Sequence, residues 1–168
     1  MTSWRVAEQL IVADTGPLVS LSHIAALHVL PALYAEVLVP VVVAEELSAS
    51  RFEHVHQILA GNPWLRVQAT AQAPDLALRA ALDAGEAAAI TLALERHAPL
   101  LIDERRGRRI AATIYGLDVR GTLGTLVRAR NANLLGPLAP LLAMLVARGD
   151  HLGQALIRET LRATGESE

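Results

Sequence analysis

Apolar and polar residues follow one another along this chain in two rhythms. Short apolar runs of strand length occur at 10–13 (LIVA), 36–40 (EVLVP) and 99–103 (PLLID), and the first and last run straight into an acid. Residues 64–69 (WLRVQA) alternate and read as a further strand, suited to an edge, and 117–120 as a short one. Between them lie stretches with helical spacing. These cover 18–33, interrupted at Pro31, then 41–49 after Pro40, and 51–60, which ends at the stop signal Gly61-Asn62-Pro63. A polar, Ala-rich linker over 68–74 leads to a helix from Asp75. Further helices are predicted at 86–97, at 104–115 with a stop at Gly116, after Gly121-Thr122, and at 137–148 and 153–163.

Strands that alternate with helices predict parallel βαβ units with helices on both faces. The fold class is therefore α/β, with a central parallel sheet of four to five short strands. No internal repeat or composition shift divides the chain, so residues 1–163 read as a single domain and 164–168 as a frayed tail.

Composition narrows this only slightly. Of 168 residues, 52% are hydrophobic and 19% charged, which fits a folded domain with a mainly aliphatic core, since aromatics make up 3%. There is no cysteine, hence no disulfide or thiolate metal site, as suits a reducing cytoplasm. The N-terminus lacks the layout of a signal peptide, and the longest apolar run, 134–147, is broken by Gly136, Pro137 and Pro140, so a cytoplasmic protein with no membrane contact is expected. Net charge is −2, and all fifteen basic residues are Arg, the better bidentate phosphate ligand.

The chemistry lies in the acids. Asp14 and Asp103 each end a strand, and parallel strands present their C-terminal ends along one edge, where ligands collect. Glu45 and Glu46 follow the 36–40 strand, and Glu86 opens a helix leading to the Asp103 strand. Oxygen ligands without Cys or clustered His suit Mg²⁺ or Mn²⁺ rather than zinc. Each acid also has a structural reading. Asp14 and Asp103 can cap helices, Asp83 with Glu86 resembles a capping box, and Glu45 and Glu46 fit a solvated face.

Five segments in this order, DTGPLVSL from Asp14, VPVVVAEEL from Val39, LDAGEAAAITLAL from Leu82, LLIDERRGRRIA from Leu100 and GTLGTLV from Gly121, resemble the PIN-domain family. The likeness is to its small solitary members that are often paired with an antitoxin, the VapC-like toxins, and it covers about residues 10–146. It implies a three-layer α/β/α sandwich and an Mg²⁺- or Mn²⁺-dependent endoribonuclease, the toxin of a type II toxin–antitoxin pair. The implied partners are an RNA substrate, a cognate antitoxin and a second copy in a homodimer. The catalytic and metal-binding acids it implies are Asp14, Glu46 in preference to Glu45, Glu86 and Asp103. A catalytically weak or silent binding module of the same family is the alternative. Gly16 departs from the pattern, because many relatives carry a small hydroxyl residue there, and Glu104 after Asp103 could substitute for it or face solvent.

Arg105, Arg106, Arg108 and Arg109 open a helix at its positive end, where the dipole disfavours them. They read either as RNA-phosphate contacts, with Arg105 and Arg106 nearest the cleft, or as a solvated face. Thr122 joins Arg105 and Arg106 as an RNA-binding candidate that could hydrogen-bond near the site, with capping of its own helix as the favoured role. His54-x-His56, His23 and His28 lack the spacing of helical zinc ligands.

Overall fold

The computed structural model describes residues 8–167; the N-terminal layout and the last tail position lie outside them. The chain runs β1 (Glu8–Ala13), α1 (Thr15–His23), α2 (Val29–Leu33), β2 (Tyr34–Pro40), α3 (Val41–Ser48), α4 (Glu53–His56), α5 (Ile58–Gly61) and β3 (Leu65–Gln68). It continues α6 (Leu76–Ala81), α7 (Ala84–Arg96), β4 (Leu100–Leu101), α8 (Arg105–Thr113), β5 (Val119–Arg120), α9 (Thr122–Asn131), α10 (Ala139–Arg148) and α11 (Gln154–Ala163). The strands form one sheet in the order β3-β2-β1-β4-β5, and every pair is parallel. The predicted α/β class and strand count therefore hold, and β3 is the edge strand that its alternation implied.

Side-chain alternation along the strands builds the three layers. Ile11, Ala13, Val37, Val39 and Leu101 point into one core with α1–α5 and α9–α11. Val12, Leu38, Leu100 and Ile102 point into the other, with Leu78, the α7 face and Ala111. Both faces of β1 are covered, with Ile11, Val12 and Ala13 fully buried, so its sequence reads as a continuous apolar run.

Several boundaries differ from expectation. The first helix starts at Thr15 and takes Gly16-Pro17 into its first turn, where a missing N–H costs nothing. It ends at His23, and Ala25 takes a left-handed conformation (φ 54°), so the break precedes Pro31, which sits inside the first turn of α2. The helix expected over 51–60 is two four-residue turns divided at Gln57. The tail expected to fray is held at Glu166, whose carboxylate accepts from the Leu138 N–H (2.8 Å) and the Ala139 N–H (3.3 Å) at the start of α10. Because these N–H groups have no intrahelical partner, Glu166→Ala is expected to cost about 1 kcal/mol of stability, checked by urea unfolding.

Tyr34 joins the start of β2 to the far side of the sheet. Its buried hydroxyl accepts from Arg120 (2.9 Å) and Arg128 (2.8 Å), and both guanidiniums also pair with Glu8. No helix among the described residues is long and apolar enough to cross a membrane.

Candidate active site

The order β3-β2-β1-β4-β5 means that the chain winds outward from β1 through β2 to β3, then returns to the other side of β1 at β4. Outside the C-terminal ends of β1 and β4, the crossovers therefore diverge and leave a crevice, the switch point where open α/β sheets place ligands. Asp14 and Asp103 stand at those two strand ends. The Asp14 N–H donates to the Leu101 carbonyl (2.9 Å), continuing the ladder up to the acid itself.

Asp14 occupies the N-cap position of α1, but its side chain makes no capping hydrogen bond. The residue is 6% exposed. Burial pushes its carboxyl up to about 7; the Thr15 N–H pulls the other way, and the charges of Asp83, Glu46 and Asp103 add to the rise. Glu86 follows the same logic. It is 8% exposed, in the first turn of α7, whose N-terminus is capped by Asp83 Oδ1 accepting from the Glu86 N–H (2.8 Å). Burial and then the charges of Asp83, Asp14 and Glu104 push Glu86 up to about 7 as well.

Glu46, on α3, is tied to this pair at two points. Thr15 Oγ1 donates to its Oε2 (2.5 Å), and its carboxylate rests on the bare Cα of Gly85. A Cβ on Gly85 would lie 2.5 Å from Glu46 Oε1 and 2.8 Å from Oε2. Glu45, its neighbour, is exposed and makes no side-chain bond among the described residues. The hydroxyl absent from Gly16, where a Cβ would meet open space, is thus present one residue earlier.

Asp103 is exposed and anchored from α9: Thr122 donates through its N–H (2.8 Å) and through Oγ1 (2.5 Å). This reverses the favoured reading of Thr122. Gly121 takes the N-cap position, where a Cβ would lie 3.0 Å from Asp103 Oδ1, so Thr122 sits one place further on and its hydroxyl serves Asp103. Glu104 neither replaces Asp103 nor simply faces solvent. It caps α8 by accepting from the Gly107 (2.7 Å) and Arg106 (3.0 Å) N–H groups, which hold its carboxyl below the usual range. Thr122→Val keeps the shape and the N–H bond but frees Asp103 Oδ2. Because the bond it removes is made to an exposed carboxylate, little change in Tm is expected, checked by thermal unfolding.

Among the described residues, none of the four predicted acids is in an ion pair, and no three carboxylate or imidazole groups stand close enough to form a ready-made metal cage. The donor set nevertheless fits a hard divalent cation. Asp14 and Glu86 are raised chiefly by burial and then by neighbouring acid charges that no ion pair offsets, all donors are oxygen, and Mg²⁺ is typically held by one or two carboxylates plus waters and substrate phosphate.

Beside Asp103 a groove of about 1080 Å³ opens between the starts of α8 and α9 and the helices α1, α10 and α11. Arg105 and Arg108 line it, whereas Arg106, expected nearest the cleft, does not. Asp83, Thr15 and Gly85 were not singled out as site residues by sequence, and Arg108, one of the four candidate phosphate contacts, was not placed nearest the cleft; a usable signal was that Arg105 and Arg108 lie three apart, on one helix face.

An all-parallel α/β/α sandwich with acids gathered at its switch point is the class that fold and site define. The chain belongs to the PIN-domain family: the family model DUF3368, a PIN domain, matches residues 10–166. PIN domains are generally nucleases that use divalent metal ions. No curated protein matches the chain.

Proposed function

We propose that this protein is a metal-dependent endoribonuclease, the toxin of a type II toxin–antitoxin pair. The observation that carries the reading is the meeting of Asp14, Glu86 and Glu46 through Thr15, Asp83 and Gly85, beside Asp103, at the sheet's switch point. Asp14, Glu46, Glu86 and Asp103 would hold Mg²⁺ or Mn²⁺. Such an ion supplies Lewis-acid stabilisation of phosphoryl charge and makes water a stronger nucleophile at neutral pH. Thr15 fixes the orientation of Glu46, and Thr122 fixes that of Asp103, before substrate arrives. An antitoxin and a second copy are the proposed partners, and a cytoplasmic location is proposed with them. Exposed Phe52, Leu76 and Ile114 offer apolar surface for such contacts.

The test is cleavage of single-stranded RNA in Mg²⁺ or Mn²⁺. Wild type cuts, and Asp14→Asn and Asp103→Asn do not; cleavage that survives both changes, or never appears in wild type, rejects the reading. A small partner protein encoded next to this one supports the toxin assignment. The lack of a ready-made three-ligand cage among the described residues favours one second reading, a non-catalytic RNA-binding module. An inert wild type that still binds RNA is its signature.

A further inference from the structure

Four arginines at the positive end of α8 work against the helix dipole, and Glu104 offsets part of that cost as the cap. Only one of them is turned back onto the sheet. Arg108 is half-buried, and its guanidinium donates to the carbonyl of Ile102 (2.8 Å), the residue before Asp103. Gly107, beside it, packs closely on the Ile102 side chain, since a Cβ there would lie 2.8 Å from Ile102 Cδ1.

Gly121 completes the arrangement. A Cβ on it would lie 2.7 Å from the Arg108 guanidinium and 3.0 Å from Asp103 Oδ1, so cation and acid flank one bare Cα. Yet no ion pair joins them among the described residues. Arg120 and Arg128, which also line the groove, share Glu8 as an ion-pair partner, and Arg120 pairs with Asp118 as well. Arg108 keeps its charge, with one N–H committed to the main chain and the rest of its donor fork open. It lines both the large groove and a smaller concavity of about 530 Å³ beside it, and Asp103 is common to both.

A guanidinium anchored by its own main chain, unpaired, and beside a site acid is a preorganised receptor for a phosphate, whose oxygens match the fork two at a time. We propose that Arg108 is a substrate-binding residue that grips the non-bridging oxygens of the phosphodiester lying beside Asp103. The proposal rests on the nuclease reading for its substrate.

Binding of a short single-stranded oligoribonucleotide, followed by fluorescence anisotropy in EDTA across a salt series, tests it without cleavage. Arg108→Gln is expected to weaken binding about ten-fold and to flatten the log K against log salt slope by about 0.7, the value for one single-strand phosphate contact. Arg108→Lys keeps the charge and most of the slope but loses the two-point grip, while Arg106→Gln changes affinity less than about two-fold. With metal, kcat/KM for Arg108→Gln falls by about ten-fold or more. Binding, slope and cleavage at wild-type values overturn the proposal. So does a loss that follows a lowered Tm and that Arg108→Lys does not partly restore, because that marks a main-chain anchor. If wild type never cleaves RNA, the nuclease reading fails, and the anisotropy series still decides Arg108.

Discussion

Asp14→Asn is expected to make the metal-free protein more stable near neutral pH while removing RNA cleavage by about 10³-fold or more. The stability half follows from the site's own electrostatics. Burial first, then the charges of Asp83, Glu46 and Asp103, raise the folded carboxyl to about 7 from an ordinary 3.8. A carboxyl whose folded pKa lies above its unfolded one binds more protons in the folded state between those two values. Stability of the metal-free wild type therefore falls as pH rises from about 4 to about 7, by up to a few kcal/mol, at roughly 1.4 kcal/mol for each unit of difference. Glu86, also raised to about 7, adds a slope of the same sign, so Asp14→Asn flattens the profile without levelling it. A bound cation reverses the balance, because it stabilises only the folded protein, by about 2.7 kcal/mol at a hundred-fold excess over Kd. Thermal unfolding between pH 4 and 8, with and without Mn²⁺, reads both effects. The wild type should gain Tm from Mn²⁺ at pH 7, and Asp14→Asn should gain little. A wild-type profile that is flat in pH, or an equal response to Mn²⁺ in both proteins, contradicts this account.

How much of this was legible in the sequence depended on how local the cause was. The run LIVA into Asp14 and the run LLI into Asp103 announced two buried strands ending in acids, because a strand covered on both faces is apolar throughout. That the two acids become neighbours came from strand order, which the alternation of elements implied only as a class. Pro31 looked like a helix breaker, but a proline in the first turn of α2 removes no hydrogen bond, and the real break lies at Ala25. Thr122 looked like a cap because Thr favours that place. The partner that claimed its hydroxyl, Asp103, lies nineteen residues away and could not be seen in a local pattern. Glu166 was invisible for the same reason, since its bond to Leu138 spans 28 residues. The arginines were a different matter. The helical repeat separates Arg105 and Arg108 from Arg106, so the face that meets the groove was readable from spacing.

Gly85→Ala should separate the site's precision from its stability. The added methyl would sit 2.5 Å from Glu46 Oε1 and 2.8 Å from Oε2, well inside contact distance. What it meets is the far end of a flexible side chain, so the backbone need not move, and Glu46 gives way. The fold loses little, because Ala is favoured over Gly in a helix by up to about 1 kcal/mol, less in the first turn where Gly85 lies. Tm is therefore expected to stay level or rise slightly. Cleavage is expected to fall by about 10- to 100-fold, the cost of moving a site group by about 1 Å. The bond from Thr15 that orients Glu46 would be stretched or lost in the same movement. A double-mutant cycle isolates the cause, since contacting residues are not additive. If Gly85 acts through Glu46, Glu46→Gln with Gly85→Ala is no slower than Glu46→Gln alone. A full Gly85→Ala penalty on the Glu46→Gln background, or wild-type cleavage by Gly85→Ala itself, would show that the carboxylate resting on Gly85 has no part in the reaction.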